Sequence, residues 1–270
     1  MARVSWLHLD IALSGAEVGD EVGLDRSVAH HLGTVLRAAI GTALVVADGR
    51  GGHAPAVLVA PDRVRLTAEV SHQPRARPRL HLVQALAKGR KLDEVVRVAT
   101  ELGVDAITPI ATQRSSVRLE GERSERARDR WRAVARAACE QAGRAWHPEV
   151  AAVTRLGPQL PAVLQSAEEA GPSRVVLVAV PGAPALTDRL PPLADAGEVV
   201  IAIGPEGGFA PDEQRRLVAT GALPVGLGPM VLRTEHAGAA ALAVLAAGLG
   251  RWSHPESRGD GTRVPVSDAG

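Results

Sequence analysis

Polar and apolar positions follow two different rhythms along this chain, and the change is complete by Leu80. In "RVRLTAEV", Val64, Leu66, Ala68 and Val70 alternate with Arg63, Arg65, Thr67 and Glu69, which predicts a strand over 63–70 with one buried face. "TALVVAD" and "APAVLVA" flank "GRGGH" and predict a hairpin around Gly51 and Gly52. "SVAHHLGTVLRA" supplies one helix. Residues 1–73 therefore read as a small β-rich domain, and "SHQPRARPRL", with its two prolines, reads as the linker that follows.

From Leu80 onward strands and helices take turns. "LHLVQAL" is a strand, and the helix after it places Leu92, Val95, Val96, Ala99 and Leu102 on one face before Gly103 closes it. "AITPI" is the next strand. A second helix opens near Ser124, buries Trp131, Val134, Ala135, Ala138 and Ala142, and stops at Gly143. "RVVLVAV" and "EVVIAIG" are continuous apolar runs, as expected of parallel strands covered on both faces. "PVGLGPMVLRTEH" leads into the small-residue helix "AGAAALAVLAAGLG". Residues 78–252 read as an α/β domain, and residues 253–270, without periodicity, predict a disordered tail.

Composition narrows the class. A chain of 270 residues has room for two domains, and 46% hydrophobic with 23% charged residues excludes a collagen-like or wholly disordered protein. Cys139 is the single cysteine, so no intramolecular disulfide forms and no metal site is expected. The start, "MARVSWLHLDIAL", lacks the apolar core of a signal peptide, and the run from Ala237 to Gly250 is too short to span a bilayer. A cytoplasmic location with no membrane partner is expected. Net charge is only +1, but residues 81–150 carry 13 basic and 10 acidic side chains against 9 and 12 in 151–270. That unevenness suits nucleic acid as well as an ordinary solvated surface. With 2% aromatic residues and no tyrosine, recognition by a row of stacked bases is not expected.

Ligands of open α/β sheets bind beyond the carboxyl ends of the strands. Three such ends here are rich in glycine or proline: "VAVPGAP", "IGPEGGF" and "GLGPMVLRTEH". Neither a phosphate-binding G-x-x-x-x-G-K-[ST] nor a dinucleotide G-x-G-x-x-G is present in the required place. One such loop is a tight turn; three together predict a pocket built from backbone groups. Lys88, Arg90 and Lys91 stand at a strand end and helix start, where cations oppose the dipole unless an anion is present, so a phosphate partner is as well supported as a plain charge run.

"IGPEGGF", followed after about twenty residues by "LGPMVLRTEHAGAAAL", resembles the C-terminal signature of the RsmE family of 16S ribosomal RNA uracil-N3 methyltransferases, members of the SPOUT superfamily. "ALAKGRKLDEVVRVATELGVDAITPI", "QRSSVRL" and "AACEQAGR" match in the same order, so the likeness spans roughly residues 3 to 252. It implies a SPOUT-type α/β domain whose C-terminal segment threads a trefoil knot, preceded by a small PUA-like β-barrel domain that grips RNA. It further implies S-adenosylmethionine (SAM) as cofactor, 16S rRNA within the small ribosomal subunit as partner, and a homodimer. Carried onto this chain, the cofactor loops are Val180, Pro181 and Gly182; Ile203, Gly204, Pro205, Glu206, Gly207 and Gly208; and Leu227, Gly228, Val231, Leu232 and Thr234. Arg114, Arg118 and Arg144 match family positions suited to RNA phosphates, Glu140 and Gln141 complete "CEQAGR", and Arg37 is an RNA candidate in the β-rich domain. Family members often carry arginine where Met230 stands and threonine where His236 stands, which removes one basic and one hydroxyl contact.

Two residues are candidates for the chemistry. As a uracil N3 proton leaves, negative charge spreads onto the carbonyl oxygens, and Arg233, on the third loop, is suited to hold it. Its alternative is a salt bridge to Glu206 or Glu235 that fixes the loop. Glu206 is either a ligand for the cofactor's amino group or the base for the imide proton; a nearby helix N-terminus would weaken it as a base and favours binding. His236 reads as a neutral histidine with a local hydrogen bond. A non-catalytic ribosome-assembly factor and a nucleotide-dependent enzyme acting on a small molecule stay open as alternatives.

Overall fold

The computed structural model describes residues 4–35, 37–157, 164 and 174–253. The first part is a six-stranded sheet of β1 (Ser5–His8), β2 (Glu21–Gly23), β3 (Ala43–Ala47), β4 (Gly52–Ala60), β5 (Arg63–Leu66) and β6 (Ser71–His72). Its order is β1-β3-β4-β5-β2, with β6 on β4, and only the β1–β3 pair is parallel. Helix α1 (Arg26–His30), whose Val28 amide donates to Asp25, continues as a π-helical turn over His31–Val35. Leu7, Val22, Leu32, Leu44, Val46, Leu58, Val64 and Leu66 form its core.

The expected hairpin is β3–β4. The expected strand over 63–70 ends at Leu66, for a local reason. Thr67 donates to the carbonyl of Pro55 at 2.9 Å, but proline has no N–H to return, so the ladder cannot continue. The linker does not run free. Ser71 and His72 pair with β4, the Trp146 indole donates to the Gln73 carbonyl at 2.7 Å, and the Arg75 guanidinium lies 4.0 Å from the Trp146 ring.

The second part is a parallel sheet of β7 (Arg79–Ala85), β8 (Ala106–Ala111), β9 (Glu149–Val150), β10 (Thr154–Arg155), β11 (Arg174–Ala179), β12 (Glu198–Ile203) and β13 (Leu223–Val225). The order is β10-β8-β7-β12-β11-β13, with β9 on β8. Helices α2 (Lys91–Glu101), α3 (Gly121–Ala142), α4 (Leu190–Leu193), α5 (Pro211–Ala219) and α6 (Thr234–Gly248) complete it. Alternate strand residues serve opposite faces, so the continuous apolar runs are explained. Leu80, Leu82, Ile107, Leu177, Val199 and Ile201 pack with α2, α3 and α6, while Val83, Ala85, Val176, Val178 and Val200 pack with Phe209 and Leu217.

The small residues of α6 serve close approach to β7. A Cβ at Gly238 would lie 2.8 Å from the Gln84 side-chain oxygen. Beyond α6, buried Arg251 locks the chain end under the sheet, pairing with Asp105 at 2.6 Å and donating to the carbonyls of Pro78 and Gly103. The expected tail, apart from Ser253, lies outside the described residues.

The two sheets meet at α3. Arg136 donates to the His8 carbonyl and to Asp10, and Glu140 accepts the His8 amide at 3.0 Å. The His8 and His147 rings stack with centroids 4.3 Å apart. Burial, then His147 and Arg136, pushes the His8 pKa down to about 3, and burial with Arg136 beside it lowers that of His147. His81 is also pushed down to about 3, by burial and then by Arg174 and Arg79. Its Nδ1 lies 3.8 Å from Glu198, but that carboxylate is held by Arg174 at 2.6 Å, so the imidazole stays neutral and shares a 2.9 Å hydrogen bond with Thr108.

A histidine whose folded pKa lies below its usual 6.5 contributes stability that is full above that value and lost as pH falls toward the folded one. Denaturant unfolding should therefore show stability declining already between about pH 6.5 and 5, above the usual carboxylate range. His81→Gln should flatten that slope; a wild-type stability constant down to pH 5 would contradict it.

Candidate active site

The C-terminal ends of β11, β12 and β13 lie side by side, and the loops leaving them enclose a cavity of about 540 Å³. Val180, Pro181 and Gly182 come from the first loop, Ile203 to Glu206 and Gly208 from the second, and Leu227 to Arg233 from the third, with Thr234 and Glu235 opening α6. Of the residues expected in these loops, only Gly207 does not line the cavity. Its carbonyl accepts from Arg114 at 2.7 Å instead. Pro229 and Met230, within the third loop, line it too; Ala179, Glu235 and Ala237 join the lining from outside the expected loops, as does Lys91, which was expected to face RNA.

The loops close on one another through backbone. Gly226 donates to Pro184 at 2.7 Å, Leu186 donates to Gly226 and Val180 to Val225. A side chain at Gly226 would meet the Ala183 carbonyl at 2.5 Å, so glycine is required. The third loop is tied to the second by one hydroxyl. Thr234 is buried, donates to the Gly204 carbonyl at 2.6 Å, and accepts from the Gln84 amide at 3.1 Å. Gln84 was missed; its signal was a lone amide near the carboxyl end of an otherwise apolar strand. Glu213 makes the second clasp: its two carboxylate oxygens accept the amides of Ala210 and Gln113, at 2.9 and 2.8 Å, holding the loop after β8 against the start of α5.

Charge at the mouth is concentrated in four side chains, Lys91, Glu206, Arg233 and Glu235. Lys91 Nζ lies 3.1 Å from Glu235 and 3.5 Å from Glu206, so this lysine takes the ion pairs that Arg233 was a candidate for. Arg233 is exposed and its guanidinium makes no hydrogen bond or ion pair among the described residues. The Glu235 carboxyl is held below its ordinary range by its own backbone amide and then by Lys91. With Arg233 in the lining the two carboxylates meet two cations, so the mouth carries no net charge, and Glu206 and Glu235 are the groups there that suit a cationic ligand.

The expected RNA residues divide. Lys88, Arg90, Arg114 and Arg118 are exposed around the loops after β7 and β8, Gln141 is exposed on α3, and Arg37 is exposed in the first part of the chain, in the segment before β3, at a φ of 50°. Arg144 and Glu140 are engaged within the protein. Arg144 donates to the carbonyls of Thr100 and Val104, capping the turn after α2, and Glu140 is spent on the His8 amide. Cys139 is buried and its thiol is pushed up to about 11 by burial, so it packs and does not react. Among the described residues no group of histidine, cysteine, aspartate or glutamate is placed to hold a metal, and no helix is long and apolar enough to cross a membrane.

Comparison with known proteins agrees with this geometry. Residues 74–246 match an RNA methyltransferase domain model, and residues 24–71 match an RNA methyltransferase PUA domain model. The chain is 36% identical over 241 residues to the ribosomal RNA small subunit methyltransferase E of Mycobacterium bovis, covering 87% of this chain and 90% of that protein. The chain belongs to the ribosomal RNA small subunit methyltransferase E family. The relative of the same name in Bacillus subtilis is 30% identical, over 80% of this chain and 86% of that protein. Among solved structures, a methyltransferase of Legionella pneumophila described with bound SAM superposes with a TM-score of 0.78 at 31% identity, over 91% of this chain and 98% of that one. The family E methyltransferase of Neisseria gonorrhoeae, described as bound to S-adenosyl methionine, gives 0.75 at 27% identity, over 91% and 98%. The fold is thus a mixed α/β domain of the SPOUT methyltransferase kind behind an N-terminal PUA domain.

The Thr234 bridge has a measurable consequence. Thr234→Val keeps the shape but leaves the buried Gln84 amide without its hydroxyl acceptor, which costs about 1–3 kcal/mol in denaturant unfolding. Thr234→Ser should restore most of it. Equal stability of the valine variant and the parent would contradict the bridge.

Proposed function

We propose that this chain is a SAM-dependent methyltransferase that modifies N3 of a specific uridine in 16S rRNA of the small ribosomal subunit. The observation that carries the proposal is the cavity built from three backbone-rich loops with two carboxylates in its lining, in a chain of this family. The lining fits the cofactor: glycine and proline backbone and apolar side chains suit an adenosine, and Glu206 and Glu235 suit cationic groups. When bound, SAM supplies an electrophilic methyl group on a cationic sulfonium.

The protein's own part is to position and to hold charge. A carboxylate near a sulfonium stabilises the ground state more than a transition state in which that charge disappears, so Glu206 acts in binding rather than in acceleration. Arg233 extends from the rim unpaired, and its guanidinium is suited to the charge that develops on a uracil carbonyl oxygen. Exposed Lys88, Arg90, Arg114 and Arg118, on the segments that follow β7 and β8, suit RNA phosphates. The proposal includes a trefoil knot in the C-terminal segment, a homodimer, cytoplasmic location, and division of the chain into domains 1–73 and 78–252. Exposed Met230 and Val231 on the third loop support an apolar contact there with a second copy.

Two outcomes check this function. SAM or its demethylated product, at a hundredfold excess over its Kd, should stabilise the protein by about 2.7 kcal/mol in thermal unfolding, whereas NAD should not. The reverse pattern would overturn the cofactor. Arg233→Ala should keep cofactor affinity within a few-fold yet methylate RNA on the order of a hundredfold more slowly, and Arg233→Lys should recover little. If the alanine variant instead loses cofactor binding and stability together, Arg233 is a structural tie.

A further inference from the structure

Most cations of α3 are already spent. Arg126 pairs with Glu122, Arg128 with Glu125, Arg130 with Asp93 and Arg136 with Asp10. Arg123 and Arg132 are different: among the described residues neither guanidinium has an ion-pair partner, and near Arg123 Glu122 is taken by Arg126 and Glu120 by Arg155. Lys88, Arg90 and Arg118 also make no side-chain hydrogen bond or ion pair there. Of these left-over charges Arg123 lines a second cavity of about 340 Å³, together with the paired Arg126 and Arg130, while Lys88, Arg90 and Arg118 are sequence neighbours of its lining residues Ala87, Gly89, Val117 and Leu119. Its floor is apolar (Leu86, Leu92, Ala127 and Trp131), Val117 and Leu119 form a half-buried lip, and Arg123 stands on its rim.

The two cavities draw on neighbouring residues of the same segments. Lys91 lines the first, while Gly89 and Leu92 on either side of it line the second. Arg114 touches Gly207 of the first cavity's second loop, and Val117 and Leu119 of the same segment edge the second cavity. An apolar slot with one unpaired cation on its rim, and others on the segments that form its walls, matches one chemistry well: a flat base attached to a phosphate. Single-stranded RNA is recognised through bases splayed out of the stack, with cations on the backbone. We propose that this second cavity seats a nucleobase of a nucleotide flanking the methylated uridine, with Arg123 on its phosphate and Lys88, Arg90 and Arg118 on the neighbouring backbone. The site rests on the rRNA methyltransferase function proposed above, and it fixes which stretch of the strand lies over the cofactor cavity.

The test uses the full-length protein, SAM, and small ribosomal subunits that lack the methylation. Arg123→Gln and Leu119→Asp should each raise the KM for subunits about tenfold, with the Kd for SAM unchanged and kcat little altered. Val117→Asp serves as the second lip variant should Leu119→Asp fail to fold. Ultraviolet cross-linking of the wild-type complex should attach a nucleotide close to the target uridine to the segment Val117–Arg123. If Arg123→Gln raises KM but both lip variants behave as wild type, the arginine reads a phosphate alone and the base site is overturned. Unchanged KM in all three variants, or cross-links confined to other segments, overturns it as well. A wild-type protein that binds no SAM and methylates no subunit defeats the methyltransferase function itself, and this site with it.

Discussion

The arrangement of the site depends on the hydroxyl of Thr234. It opens α6, reaches the Gly204 carbonyl at the end of β12, and receives the amide of Gln84 from the end of β7. Three segments far apart in sequence are thereby fixed at the floor of one cavity. The bond is buried, so its alternatives are unsatisfied groups rather than water, and that asymmetry makes a single hydroxyl decisive. Close approach is the other half of the constraint. Gly238, one turn further along α6, leaves just enough room for the Gln84 side chain, and Gly226 lets the first and third loops touch through backbone alone.

Around that floor, electrostatics sorts the side chains by role. Lys91 neutralises one of two carboxylates at the mouth and leaves Arg233 unpaired. On the outer surface, local pairs and partners from other elements consume four of the six arginines of α3, and Arg123 is left beside the segments after β7 and β8. An overall charge of +1 thus conceals a local surplus at one edge of the site. Arg136 and the stacked His8 and His147 hold the first sheet against α3, so both parts of the chain present one continuous surface.

The covered strands were legible because burial on both faces leaves an unbroken apolar run, as in β11 and β12. The three loops were legible because backbone-lined turns need glycine and proline. What was not legible was set by partners distant in the chain. Pro55 shortens β5 from the neighbouring strand. Arg144 and Glu140 looked like surface groups in "CEQAGR", yet each is claimed by carbonyls or amides that only the tertiary fold brings near. Lys91 looked like one of three equivalent cations, and only the approach of Glu206 and Glu235 separates it from Lys88 and Arg90. Gln84 carried a sequence signal, but the hydroxyl it serves lies 150 residues away.

The central claim is that this cavity and its cations exist to methylate one uridine of small-subunit rRNA. Mass spectrometry of 16S RNA from cells with and without the gene tests it most directly. The account predicts one N3-methyluridine present in the first sample, absent from the second, and restored by the wild-type chain but not by Arg233→Ala. An identical set of methylated uridines in both samples would contradict it.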